Sequence, residues 1–73
     1  MEFNKIENRK HIGSRIAEIR KQQKITTAQL AESTGLKQNN ISRIELGKYS
    51  TDVDLLGTIA AALNYKIDLI ENK

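Results

Sequence analysis

The chain predicts an all-α fold, four to five short helices packed compactly around one small core. Three observations carry that expectation. Ile12, Ile16 and Ile19 recur at the spacing of one helix face. Leu55, Leu56, Ile59, Ala60 and Leu63 form a second such stripe. Between them, residues 26–47 carry two sets of helix start and stop signals separated by a tight turn.

Length and composition narrow the function. The 73 residues suffice for one domain at most. A chain this short buries a modest fraction of its surface, so pairing with a second copy would add stability. It has no cysteine and no proline, which removes disulfides and cysteine metal sites, and the lone His11 cannot build a metal site of the usual kind. No apolar run approaches the ~18 residues of a membrane span, and no signal-peptide core is present. The expected setting is therefore cytoplasmic and reduced, with no metal, no cofactor and no membrane. An enzyme is disfavoured, because there is no cysteine nucleophile, no glycine-rich phosphate loop, no His–carboxylate constellation and no room for a pocket. The net charge of +3 is unevenly spread, with seven basic and three acidic groups in residues 1–24 but two and four in residues 51–73. That asymmetry fits one face for a polyanion, and on charge alone a solvated lysine-rich surface fits equally well.

Taken in order, residues 1–9 read as an N-terminal arm without caps or periodicity. Phe3 and Ile6 are its docking candidates, on the body or on a partner subunit, while Glu2 and Glu7 argue against its reaching DNA. Residues 10–24 read as the first helix. Gly13 is expected to weaken its start by about 1 kcal/mol relative to alanine. Ile25 then supplies a staple-like apolar contact just before Thr26, and Thr26 with Gln29 three residues on makes a capping box. Leu30 and Ala31 give the second helix its apolar face, and Gly35 supplies the positive φ that closes it. In the third helix Ile41 and Ile44 point inward, and Gly47 ends it.

The outward face of that third helix carries Gln38, Asn39, Ser42 and Arg43. Glutamine and asparagine can bond adenine with two hydrogen bonds, and arginine can do so with guanine. Two helices joined by a glycine-containing turn, the second amide-rich at its N-terminal end, describe a helix-turn-helix reader of the major groove. After the loop Lys48-Tyr49-Ser50, Thr51 is the expected cap of a fourth helix, with Asp54 completing an acidic capping box and Asp52 complementing the helix dipole. Gly57 is out of character inside that helix. It fits either a close approach or an exposed site under no constraint. The tail alternates polar and apolar at Lys66, Ile67, Asp68 and Leu69, the period of a strand. A single strand needs a partner, and a second copy of the chain supplies one. Ile67, Leu69 and Ile70 are thus the candidate dimerisation residues. The alternative is a last helical turn that buries Ile67 and Ile70. The expected division is an arm over 1–9, the helix-turn-helix domain over 10–65 and a C-terminal strand or helical turn over 66–73.

The chain resembles the small phage-repressor-like (Xre/Cro type) helix-turn-helix domains. The resemblance runs from about residue 12 to 65. It is carried by Ile12-Gly13-Ser14-Arg15-Ile16 through Ile19-Arg20-Lys21, by Leu30-Ala31, by Ile41-Ser42-Arg43-Ile44-Glu45-Leu46-Gly47-Lys48, and by Leu56, Ile59, Ala60 and Leu63. It implies a homodimeric transcriptional regulator, a repressor, binding specific double-stranded DNA with residues 37–46 in the major groove. Gln38, Asn39 and Arg43 would read bases, with Ser42 as a fourth. Thr27, Lys37, Asn40, Lys48 and Tyr49 would meet phosphates, as would backbone N–H groups at helix N-termini. Arg20 and Glu45 resemble the family's structural ion pair between the first and third helices.

Three positions depart from the family pattern. Lys37 stands where serine or threonine usually caps the third helix, and its charge opposes the dipole there. Thr27 stands where a longer glutamine often braces the first reading residue. The strand-like tail replaces the usual short fifth helix and suits some antitoxin-type members. The alternative function is therefore the antitoxin of a toxin–antitoxin pair, binding its own promoter and a toxin protein. A pure protein-interaction module is a third reading, against which the polarity of Gln38, Asn39, Asn40 and Arg43 stands.

Overall fold

A computed structural model describes residues 5–71. Among them are four helices and no strand: α1 over Lys5–Gln22, α2 over Thr27–Thr34, α3 over Gln38–Glu45 and α4 over Val53–Ala62. Each contributes two residues to one buried cluster, except that Leu63 joins it from the residue just past α4. Ile16 and Ile19 meet Leu30 and Ala31, Ile41 and Ile44, and Ile59 and Leu63 there. α1 packs on α3, and α2 packs on both α3 and α4. Of the two ends of the staple, Leu30 belongs to this cluster and Ile25, partly buried, packs against it. Among the described residues, no helix is long and apolar enough to cross a membrane.

All four helices close in the same way. A residue one (α2) or two (α1, α3 and α4) positions past the helix adopts left-handed backbone, and the next N–H reaches back to the carbonyl five residues earlier. The left-handed residues are Lys24, Gly35, Gly47 and Asn64, with φ of 59°, 75°, 74° and 65°. The matching long bonds run from Ile25 N–H to the Arg20 carbonyl, from Leu36 to Ala31, from Lys48 to Arg43 and from Tyr65 to Ala60, at 2.8–3.1 Å. Glycine fills two of these positions at no steric cost. Lysine and asparagine fill the others against a small penalty.

Several sequence expectations are corrected. Residues 5–9 are not an arm but the first turns of α1, which begins five residues earlier than expected. No breaker lies between Lys5 and Ile12, and Glu7 sits in the first turn where it complements the dipole. The inner positions of those turns are the polar Lys5, Asn8 and Arg9, which line a cleft with Ile44, Tyr49 and Leu56, so there is no apolar periodicity to read. Ile6 is 59% exposed, and Phe3 lies outside the described residues. The cap of α4 is Asp52, not Thr51: its carboxylate accepts from the Leu55 N–H at 2.7 Å. Two adjacent residues could cap this helix, and the carboxylate one residue nearer takes the site. In the single chain the described part of the tail is neither strand nor helical turn. Residues 65–71 are irregular and exposed.

Gly13 is also not a weak helix start. It is buried in the middle of α1, where α1 crosses the end of α3. A Cβ placed there would lie 2.2 Å from the Ile44 carbonyl oxygen and 2.7 Å from that of Glu45. Both are backbone atoms, so only glycine permits the crossing.

Candidate nucleic-acid interface

The two halves of the motif are built differently. α2 is capped by its own sequence. The Thr26 hydroxyl accepts from the Gln29 N–H at 3.0 Å, and the Gln29 side chain accepts from the Thr26 N–H at 2.8 Å. α3 has no such cap. Lys37 has the extended backbone of an N-cap, but its side chain makes no capping bond. Lysine has donors only, so the Gln38 and Asn39 N–H groups at the start of α3 receive no side-chain cap, while those of Asn40 and Ile41 bond the Lys37 carbonyl at 3.0 and 3.2 Å.

The faces of α3 are sharply divided. Ile41 and Ile44 are 1% and 2% exposed, whereas Gln38, Asn39 and Arg43 are exposed together. Ser42 and Asn40 are half-buried at the margins of that face. Lys37 and Lys48 stand exposed beyond its two ends. The outward surface thus presents amide and guanidinium donors along one stripe, with a cation at each end. That is the chemistry of base edges flanked by phosphates.

This outward face is braced at two points. The Gln38 side-chain amide donates to the Thr27 hydroxyl at 3.0 Å. The shorter threonine still reaches the first residue of α3, because Gln38 itself spans the gap. The Arg43 guanidinium lies over the Tyr49 ring, 5.5 Å from its centroid. Tyr49 is half-buried and packs against the core cluster.

The far end of α3 is fixed to α1. Arg20 and Glu45 form a two-bond pair, Nε to Oε2 at 2.7 Å and Nη2 to Oε1 at 2.9 Å. Each side chain of the pair is 10% exposed. The remaining Arg20 Nη1 donates to the Ile25 carbonyl at 2.8 Å, which ties the α1–α2 turn to the same group. The Glu45 hydrogen bond raises the Arg20 pKa further above its ordinary value, against the opposite pull of burial and with help from the Glu45 charge. Gly47 adds a third contact, since a Cβ there would lie 2.7 Å from Lys10 Cγ and 2.9 Å from its Cα.

In the tail Ile67 is 44% exposed, Leu69 96% and Ile70 89%. Gly57 faces Ile67, with a hypothetical Cβ 3.8 Å from its Cδ1, which is ordinary contact and no constraint. His11 is exposed on α1. Sequence reasoning missed two features of the interface. The Gln38–Thr27 bond was hidden by the expectation that only a long residue at position 27 could brace. The Arg43–Tyr49 contact depends on the loop conformation after Gly47, which no local pattern reports.

Comparison with known proteins places this geometry. The helix-turn-helix family model matches residues 16–70. An immunity repressor protein of Bacillus phage phi105 is 36% identical over 59 residues, covering 81% of this chain and 41% of the repressor. The chain therefore spans less than half the length of that relative. Two crystal structures of the clp gene regulator ClgR from Corynebacterium glutamicum superpose with TM-scores of 0.79 and 0.77, both at 24% identity. They cover 81% and 80% of this chain, and 76% and 62% of the ClgR chains. At that identity the likeness speaks to the fold.

Proposed function

Because the chain belongs to the Xre-type helix-turn-helix family, we propose that it is a DNA-binding transcriptional repressor acting as a homodimer, with α3 in the major groove. One observation carries this most directly. Gln38, Asn39 and Arg43 share the exposed face of a helix whose other face is closed against the core. Amides at the N-terminal end of α3 suit adenine, and Arg43 suits guanine. Thr27, Lys37, Asn40 and Lys48 surround that face and take phosphates, the open N–H groups at the start of α3 adding to them. The phage immunity repressor, 36% identical to this chain, supports the reading of repression.

The exposed tail residues Ile67, Leu69 and Ile70 are the proposed contacts between two copies, since large apolar side chains that find no place in the monomer gain from being covered. A two-fold dimer sets half-sites about 10 bp apart, or a multiple of that. Replacing Leu69 and Ile70 by aspartate should halve the mass seen by sedimentation without changing the helical circular dichroism. An unchanged mass would remove the tail from the interface.

Selection of binding sites from random duplex DNA with the purified protein is the direct test. An enriched inverted repeat is the expected result. No enrichment, with only weak salt-sensitive binding, would overturn the proposal. On the selected site Gln38→Ala should cost about 1–3 kcal/mol at one base position, while Lys48→Ala should weaken every sequence alike and lower the salt slope by about one. Equal losses on specific and random DNA for Gln38→Ala would remove it as a base reader.

A further inference from the structure

We propose that Tyr49 is a positioning residue for Arg43, and so sets specificity at a base pair it does not itself read. The inference rests on α3 being the reading helix. Four observations join to make it.

The first is the contact itself. The Arg43 guanidinium lies 5.5 Å from the Tyr49 ring centroid, within the range of cation–π attraction. The second is what Arg43 lacks: among the described residues no carboxylate pairs with it. A carboxylate would occupy the fork of N–H donors that guanine requires. An aromatic ring restrains the guanidinium through its charge and leaves those donors for a base edge. The third is that Tyr49 is anchored. It is half-buried and packed against the core cluster, so the ring is a fixed platform and not a second mobile side chain.

The fourth is the route by which the chain delivers the ring. Gly47 turns left-handed, and the following Lys48 N–H returns to the carbonyl of Arg43 itself at 2.9 Å. The next residue is Tyr49. The helix closure therefore registers the ring against residue 43 through the backbone, one hydrogen bond away. A long arginine side chain free in solvent must be ordered when it docks in the groove. Tyr49 holds it partly ordered beforehand, which favours the two-bond contact with guanine over single bonds to other bases. This assigns the ring, and not the phenol hydroxyl, as the functional part of Tyr49.

The test compares full-length wild type, Arg43→Ala, Tyr49→Phe, Tyr49→Leu and the double variant Arg43→Ala/Tyr49→Leu. Each is titrated against the selected duplex, against duplexes changed at single base pairs and against random DNA, with thermal melting of each protein alongside. Tyr49→Leu keeps an apolar group against the core, so folding is preserved. Expected are an intact profile for Tyr49→Phe, and about a fivefold loss of discrimination for Tyr49→Leu at one base pair only. That base pair should be the one at which Arg43→Ala loses discrimination, and adding Tyr49→Leu to Arg43→Ala should change nothing further. A loss in Tyr49→Phe, or an equal loss on all sequences in Tyr49→Leu, would make the residue a phosphate contact or a structural one and overturn the proposal. If Arg43→Ala itself weakens all sequences alike, Arg43 is no base reader, and the proposal falls for that separate and recognisable reason.

Discussion

α2 and α3 are neighbours of equal length, eight residues each, yet their N-terminal ends are stabilised by opposite means. α2 carries its own instructions: a reciprocal capping box at one end and a left-handed glycine at the other. α3 begins at a lysine that cannot cap and that opposes the dipole. It is held from outside, by Ile41 and Ile44 in the core, by the Arg20–Glu45 pair and by the glycine crossing at position 13. Local chemistry sets the supporting helix, and tertiary contacts set the exposed one. The missing cap lies at the end that the proposed function sends into the groove, where a DNA phosphate can satisfy the N–H groups that no side chain reaches.

The comparison is broken most severely at Gly13. Gly13→Ala drives a methyl group into two carbonyl oxygens of α3 that cannot rotate away, and should cost about 3 kcal/mol or more. Denaturant unfolding will read this, with Gly57→Ala as a control: nothing closer than 3.8 Å meets the new methyl there, so stability should hold or rise by up to about 1 kcal/mol. Equal behaviour of the two variants would mean that the α1–α3 crossing is looser than described. Next comes Glu45→Ala, which strands the Arg20 guanidinium at a nearly buried site and should cost about 3 kcal/mol. An unchanged melting temperature would remove the pair as an anchor of α3.

The smaller effects sharpen the contrast between the caps. Thr26→Ala removes one half of the capping box and should destabilise by about 1 kcal/mol. Lys37→Ser should do the reverse. By supplying the cap that α3 lacks, it should stabilise the free protein by about 0.5 kcal/mol and weaken binding to every DNA sequence. Paired melting and salt-dependent titrations will show both signs. A Lys37→Ser protein that binds as tightly as wild type, with the same salt slope, would separate the missing cap from DNA binding.

What could be read in the sequence divides along the same line. The start and stop of α2, the inward isoleucines of α3 and the closing glycines at 35 and 47 follow from residue chemistry within a few positions, and they stand where expected. Features that depend on distant residues were less legible. Gly13 reads as a weak helix start until α3 is laid across it. Lys24 and Asn64 close their helices in left-handed geometry that their side chains do not advertise. The choice of Asp52 over Thr51 turns on one residue of register. The early start of α1 has no apolar stripe to betray it, since its inner positions Lys5, Asn8 and Arg9 are polar and line a cleft. At the interface, the identity of the outward residues was plain from their spacing, whereas the partners that steady them, Thr27 under Gln38 and Tyr49 under Arg43, depend on how two turns fold back.

The clamp at the C-terminal end of α3 carries a consequence for divergence. Gly13, Arg20, Glu45 and Gly47 fix the helix through contacts that tolerate almost no change, whereas Gln38, Asn39 and Arg43 point away from everything buried. Substitutions on the proposed reading face therefore need not weaken the fold. If Gln38, Asn39 and Arg43 read the operator as proposed, a lineage built on this scaffold can change its target one outward residue at a time, each intermediate still folded.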